Sequence, residues 1–88
     1  MENSIKLIIL DMLREESKPN PDWKSIQALA DKAIAEIDRN EIKLNGLFYQ
    51  FLDDVDIRNK DQKYGHDQRE RITREFELAK ISLDRQNR

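Results

Sequence analysis

Residues 23–37 read WKSIQALADKAIAEI and carry the strongest pattern in the chain. The apolar residues of this stretch recur at intervals of three and four, the spacing of one face of an α-helix. Such an alternation is typical of helices packed side by side, and its alanines allow a neighbouring helix to approach closely. The seam consists of Trp23, Ile26, Ala30, Ala33 and Ile37. It predicts an all-α protein built as a small helical bundle.

A second amphipathic helix is predicted at about residues 4–17. One face of this helix carries Ile5, Ile8, Ile9 and Met12. Leu7 and Leu10 point to the other side. A short helix that is apolar nearly all round is typically buried on more than one side. We therefore expect Leu7 and Leu10 to contact a partner.

The Asn45-Gly46 dipeptide leaves two interpretations of the chain centre open. In the first, a helix over residues 22–44 ends there, with Gly46 as a left-handed C-cap, and a new helix covers residues 47–59. In the second, one long central helix crosses the glycine, which costs about 1 kcal/mol relative to alanine. We prefer the break. A hairpin turn is excluded because the flanking residues do not alternate.

The last helix is predicted at residues 67–86. Asp67 followed by Glu70 resembles a capping box, and the polar residues 59–65 before it indicate a loop. The apolar stripe of this helix consists of Ile72, Phe76, Ala79 and Leu83. Residues 1–88 thus form one domain, a bundle of three helices if Asn45-Gly46 is crossed and four if it is not, with antiparallel packing.

Composition favours the all-α class and bears on the cellular compartment of the protein. Charged residues make up 39% of the chain and apolar residues 38%, with only two glycines and two prolines, a balance typical of long helices with charged outer faces. The absence of cysteine excludes disulfides and thiolate metal sites. The apolar run near the start is too short for a signal sequence or a membrane span. We therefore expect a cytoplasmic protein.

Catalytic machinery is not expected. His66 is the only histidine, and it has no partners beyond the nearby Asp61 and Asp67. The acidic cluster that begins at Asp53 lacks the glycine and glutamate positions of a calcium loop. No phosphate-binding loop, nucleophile elbow or metal signature is present. We expect no enzyme activity, no cofactor and no metal.

The last helix carries a second face that resembles a protein interface. This face lies opposite the stripe of Ile72 and mixes arginines with large apolar side chains, the residue types that protein interfaces concentrate. Its members are Arg71, Arg74, Leu78, Ile81 and Arg85. Together with Leu7 and Leu10, they are the predicted partner-binding residues.

Charge is divided unevenly along the chain. Residues 1–56 carry seven basic and twelve acidic side chains, a net charge of −5, and residues 57–88 carry nine and six, a net charge of +3. Ends of unlike sign can lie together within one monomer, pair antiparallel between two copies or meet a different protein. We expect a homodimer or a complex with another protein, without membrane or small-molecule substrate. The alternative is a nucleic-acid-associated regulator that uses the basic C-terminal third.

Overall fold

A computed structural model describes the backbone of residues 3–86 and the side chains of residues 4–76. These residues confirm the all-α prediction, with no strand between residues 3 and 86. The helices are α1 (Asn3–Glu16), α2 (Trp23–Arg39), α3 (Gly46–Asp53), α4 (Val55–Lys60) and α5 (Gln62–Gln86). Within the described part of the chain, no helix combines the length and apolar character that crossing a membrane requires.

The hydrophobic core is built from the predicted apolar stripes. On α2 the seam is buried except at Trp23, which is half-buried against the core. The stripe of α1 and Ile72 of α5 are also buried, and α3 and α4 add the buried residues Phe48, Phe51, Leu52 and Val55. The buried apolar residues outside α2 are Ile5, Ile8, Ile9, Met12, Phe48, Phe51, Leu52, Val55 and Ile72. Burial of these stripes is the main driving force for packing the helices together.

Hydrogen bonds at both ends join α1 to α2. The Ser4 hydroxyl, at the start of α1, donates to the Glu36 carboxylate near the end of α2. At the other end, the backbone N–H of Asp22 donates to the Glu15 carboxylate at 3.4 Å. The two helices therefore run in opposite directions, joined by the turn at residues 17–22. The Asp22 carboxylate caps α2 by accepting from the Ser25 backbone N–H at 3.2 Å.

The structure corrects the end of the second helix, which lies at Arg39 and not at residue 44. The chain leaves the helix through Glu41, whose φ of 51° is left-handed. The backbone N–H of Ile42 then donates to the Ile37 carbonyl at 3.0 Å, the closing bond of a Schellman motif. Glutamate is an unfavourable residue for this position, which is why the sequence pattern did not indicate the end of the helix.

Asn45 and Gly46 begin a helix, so the preferred break between two helices is present, but the predicted role of the dipeptide as its C-cap is wrong. The Asn45 side chain accepts from the Leu47 backbone N–H at 3.0 Å and caps α3. Gly46 is the first residue of α3 and is not a left-handed C-cap. The long central helix is also wrong, since residues 40–45 separate α2 from α3. Asparagine is a strong N-cap because its side-chain oxygen satisfies an otherwise unbonded backbone donor.

The predicted helix at residues 47–59 is divided into α3 and α4 at Asp54. The Asp54 carboxylate accepts hydrogen bonds from the Tyr64 hydroxyl at 2.6 Å and from the Gln68 amide at 3.2 Å, both on α5. These tertiary bonds hold Asp54 at the junction between the two helices. The interruption is therefore stabilised by contacts that are distant in sequence.

The last helix begins at Gln62, five residues before the predicted start at residue 67. Asp61 provides the cap, accepting from the Tyr64 backbone N–H at 3.0 Å. The predicted loop at residues 59–65 is consequently almost entirely helical, and Asp67 lies within α5. Two acidic residues were available as caps, and the structure uses the earlier one.

Candidate functional site

The predicted partner residues of α1 lie on its outer side. Leu7 is 61% exposed, the most exposed large apolar side chain among those described, and Leu10 is half-buried. On the opposite side of the same helix, Ile5 and Ile9 are fully buried. Helix α1 thus presents apolar surface both to the core and to solvent.

The predicted residues of α5 are divided between two clefts. Arg71 and Arg74 are both exposed. Arg71 lines a cleft with Gln50 of α3, whereas Arg74 lines another beside Ser17, at the end of α1. The two arginines, three residues apart on α5, therefore line separate clefts. The remaining predicted side chains, Leu78, Ile81 and Arg85, lie outside the described side chains.

His66 has two acidic neighbours, and the three form an exposed group. Ligand atoms of His66, Asp67 and Glu70 lie within 4.8 Å of one another. Hydrogen bonds from His66 and Lys63 hold the pKa of the Asp67 carboxyl below its usual range. Arg69 and Arg74 line the cleft that contains His66 and Glu70, and their positive charges oppose binding of a metal cation.

A buried ion pair that the sequence analysis missed joins α1 to α4. The Arg58 guanidinium donates from Nε to Glu16 Oε1 at 2.9 Å and from Nη2 to Glu16 Oε2 at 3.1 Å. Both side chains are completely buried. Arg69 of α5 adds a further bond, from Nη1 to Glu16 Oε1 at 3.0 Å. One carboxylate thus connects three helices.

Each side-chain nitrogen of Arg58 has a hydrogen-bond partner. Its Nη1 donates to the Phe51 carbonyl and to Gln68 Oε1, and its guanidinium lies 3.9 Å from the centre of the Phe51 ring. Among residues 4–76, every buried side-chain nitrogen and oxygen has a hydrogen-bond partner. Complete satisfaction of this kind makes a buried charge tolerable and favours one packing arrangement.

The network extends to the phenol of Tyr64. This phenol donates to the Asp54 carboxylate, and Asp54 also accepts from Gln68, which itself accepts from Arg58. The hydrogen bond to Asp54 raises the pKa of Tyr64, because ionisation would leave two negative groups in contact. The network therefore joins α1, α4 and α5 through polar groups.

A cleft of about 330 Å³ opens beside the ion pair, and we call it the Trp23 cleft. Glu16, Arg58 and Arg69 form its base. Trp23 and the exposed Lys18 lie at its side, where the α1–α2 turn enters α2. The cleft combines cations with an aromatic residue, groups that are suited to binding an anion.

The sequence contained a signal for this pair of charges. Glu16 follows Met12 by four residues, and Arg58 follows Val55 by three, so each continues an apolar stripe by one helical turn. A charged residue that continues a buried apolar stripe lies either at the edge of the hydrophobic core or inside the core in an ion pair. Two such residues of opposite sign are compatible with a buried pair, although their spacing alone does not pair them.

Comparison with known proteins adds no family assignment. Searches give no match to any protein-family model, and no curated protein or solved structure is detectably similar.

Proposed function

We propose that this chain is a small non-enzymatic interaction module, an adaptor, regulator or subunit that acts in the cytoplasm. It associates with a second copy of itself through the outer face of α1 and the second face of α5. In this arrangement the antiparallel helices form a scaffold that presents two apolar faces.

The observation that carries the proposal is the exposure of Leu7. Full burial of a leucine side chain contributes about 1.5–3 kcal/mol to the free energy of folding or association. Because Leu7 is 61% exposed in the single chain, a partner that covers it would gain much of this free energy. Isolated exposed apolar residues are common on monomers. Leu7 is less isolated, because the half-buried Leu10 lies one turn further along the same helix.

The length of α5 supports a second contact face. Lys6 lies with its Nζ 6.0 Å from the centre of the Phe76 ring, so α5 passes the first turns of α1 at this point. The backbone of α5 continues helically from Phe76 to Gln86, about 15 Å at 1.5 Å per residue. This extension carries Leu78, Ile81 and Arg85 of the predicted interface.

Charge favours a second copy as the partner. The net charge of −5 on residues 1–56 and of +3 on residues 57–88 lets two copies pair antiparallel, with each basic third against the acidic part of the other copy. A two-fold symmetric pair presents the same surface twice, so this pairing satisfies both copies at once.

The test compares variants by size-exclusion chromatography with light scattering. We expect Leu7→Asp to weaken the dimer at least about ten-fold, because it places a charge on an apolar contact. Ile57→Asp is the matched control, since Ile57 is a 43% exposed apolar residue of α4 outside the proposed faces. Unchanged mass for Leu7→Asp, with helicity retained by circular dichroism, would refute the proposed interface.

The nucleic-acid alternative has weaker support. A basic helix that follows a phosphate backbone needs its cations along one continuous track, whereas Arg71 and Arg74 line separate clefts. Glu70 and Glu75 interrupt the same helix with negative charge. A mobility shift at low salt would favour this alternative, because phosphate contacts strengthen as salt is lowered.

A further inference from the structure

The Trp23 cleft has a charge opposite to that of the whole chain. Its lining side chains include three cations, Lys18, Arg58 and Arg69, and one anion, Glu16, a net charge of +2. Glu15 pairs with Lys18 at 2.6 Å beside the cleft, and counting it still leaves a net charge of +1. The whole chain carries −2. The residues at the cleft therefore carry a small surplus of positive charge.

The surplus charge is concentrated on Arg69. Both oxygens of Glu16 are bonded to Arg58, and this bidentate pair neutralises itself. Arg69 is a second cation on the same carboxylate, and its side chain is only 25% exposed. A partly desolvated cation without a carboxylate of its own attracts a further anion strongly, since water screens it less than it screens an exposed lysine.

The α1–α2 turn and Trp23 give one side of the cleft a rigid wall within a largely polar lining. Trp23, which is half-buried, lines the cleft, and Pro19 and Pro21 restrict the backbone of the turn beside it. A preformed wall lowers the entropy that a ligand loses on binding. Aromatic rings of a ligand can stack on the indole ring of a tryptophan.

We infer that the Trp23 cleft binds a small organic anion, with its carboxylate or phosphate group at Arg69 and its flat apolar body against Trp23. The cleft volume of about 330 Å³ is near the lower end of the range for small-molecule pockets, which argues for a ligand of roughly one ring and one charged group. Lys18 supplies a second, exposed cation at the entrance. This binding is independent of the proposed self-association.

Trp23 is the only tryptophan of the chain, so intrinsic fluorescence reports directly on the cleft. Phenyl phosphate and benzoate are the probes for the two anionic groups. Inorganic phosphate tests the charge alone, and benzyl alcohol tests the ring alone. We expect saturable fluorescence changes with at least one aromatic anion, and affinities at least about ten-fold weaker for inorganic phosphate and for benzyl alcohol, each of which lacks one half of the contact.

Two matched arginine variants locate the binding. Arg69→Gln is expected to weaken the affinity for the aromatic anion at least about ten-fold. Arg74→Gln is the same change on the same helix but outside the Trp23 cleft, and it should leave this affinity unchanged. Equal affinity in both variants would overturn the inference, and so would a lack of saturation by either aromatic anion up to about 10 mM with the wild-type chain folded.

A lysine variant keeps the test decisive if Arg69→Gln does not fold. Lys18 is 58% exposed, so Lys18→Gln leaves the buried network intact. Lys18→Gln is expected to weaken the affinity for the aromatic anion about threefold, because contacts between exposed charges are modest in strength. Lys63→Gln, at an 88% exposed lysine of α5 that does not line the cleft, is the control. Equal affinities in these two variants would contradict the inference.

Discussion

The guanidinium of Arg58 binds both carboxylate oxygens of Glu16 in the protein interior, although 42 residues separate the two in sequence. The pair links the end of α1 to α4. The same Glu16 carboxylate also accepts a hydrogen bond from Arg69, which links the end of α1 to α5. A bidentate pair has a narrow geometry, so it fixes the position of these helices more sharply than apolar contacts do.

Breaking this pair is predicted to destabilise the fold strongly. Arg58→Met leaves Glu16 buried with only Arg69 as a cation, and Glu16→Leu leaves Arg58 buried without a carboxylate partner. Loss of one partner from a buried pair costs about 3–5 kcal/mol, a large share of the stability of a small domain. Urea unfolding followed by circular dichroism, at one protein concentration, measures each loss.

The double variant provides the control for the ion pair. Arg58→Met combined with Glu16→Leu removes both charges, so its loss of stability should be smaller than the sum of the single losses by about 1–3 kcal/mol. Additive losses would mean that the two side chains do not act as a pair.

Glu41→Gly is predicted to stabilise the protein. Glu41 has a φ of 51° at the end of α2, and a residue with a Cβ atom loses about 1–2 kcal/mol in this conformation, whereas glycine does not. Greater flexibility of glycine in the unfolded chain offsets part of the gain, leaving roughly 1 kcal/mol. Thermal unfolding measures the change, and Glu41→Ala, which keeps the Cβ atom, should show no gain.

The two glycines are predicted to respond differently to alanine. A Cβ atom at Gly65 would lie 2.9 Å from Arg69 Nη1 and 3.4 Å from the Arg58 Cβ, whereas at Gly46 nothing lies within 4 Å. Gly46→Ala should stabilise by a few tenths to about 1 kcal/mol. Gly65→Ala must displace Arg69 from Glu16, which cancels the same gain in helix propensity.

A background substitution identifies the cause at Gly65. With Arg69→Ala already present, Gly65→Ala no longer displaces a guanidinium and should be stabilising. If Gly65→Ala were equally unfavourable in both backgrounds, contact with Arg58 would be the cause instead. Chemical unfolding of the four chains completes this cycle.

Tyr64 is predicted to ionise at unusually high pH. The folded protein holds the phenolic proton more tightly than the unfolded chain does, because the phenol donates to Asp54 and so raises the pKa of Tyr64. The hydrogen bond therefore stabilises the fold fully below the ordinary tyrosine pKa of about 10, and this contribution is lost as pH rises through the raised pKa.

Absorbance titration of Tyr49→Phe measures this pKa alone, since the chain has only two tyrosines. The Asp54→Asn change added to Tyr49→Phe should return the pKa of Tyr64 toward its ordinary range. A pKa that does not respond to the loss of the Asp54 charge would contradict the assigned cause.

Much of the fold could be predicted because it follows from local apolar spacing. The stripes of α1 and α2 and Ile72 of α5 are buried as the sequence indicates, and only Trp23, at the end of its stripe, is half-buried. Periodicity indicates which residues face the core, since the helix repeat alone determines the face.

Helix ends and the polar interior were less predictable because distant contacts decide them. Glu41 adopts a left-handed conformation that its residue type does not favour, and Asp54 divides a helix through bonds to α5. The bond between Glu16 and Arg58 depends on how α1 and α4 pack, which local patterns do not specify. For the candidate interface, the spacing on α1 correctly placed Leu7 away from the core.

Self-association is tested most directly by the mass of the unaltered chain. Sedimentation equilibrium from about 1 µM to about 100 µM covers the range in which a micromolar dimer dissociates. Self-association predicts a mass that rises with concentration from the 10.5 kDa of one chain toward twice that value. A mass of 10.5 kDa at every concentration, from a chain that circular dichroism shows to be folded, would contradict it.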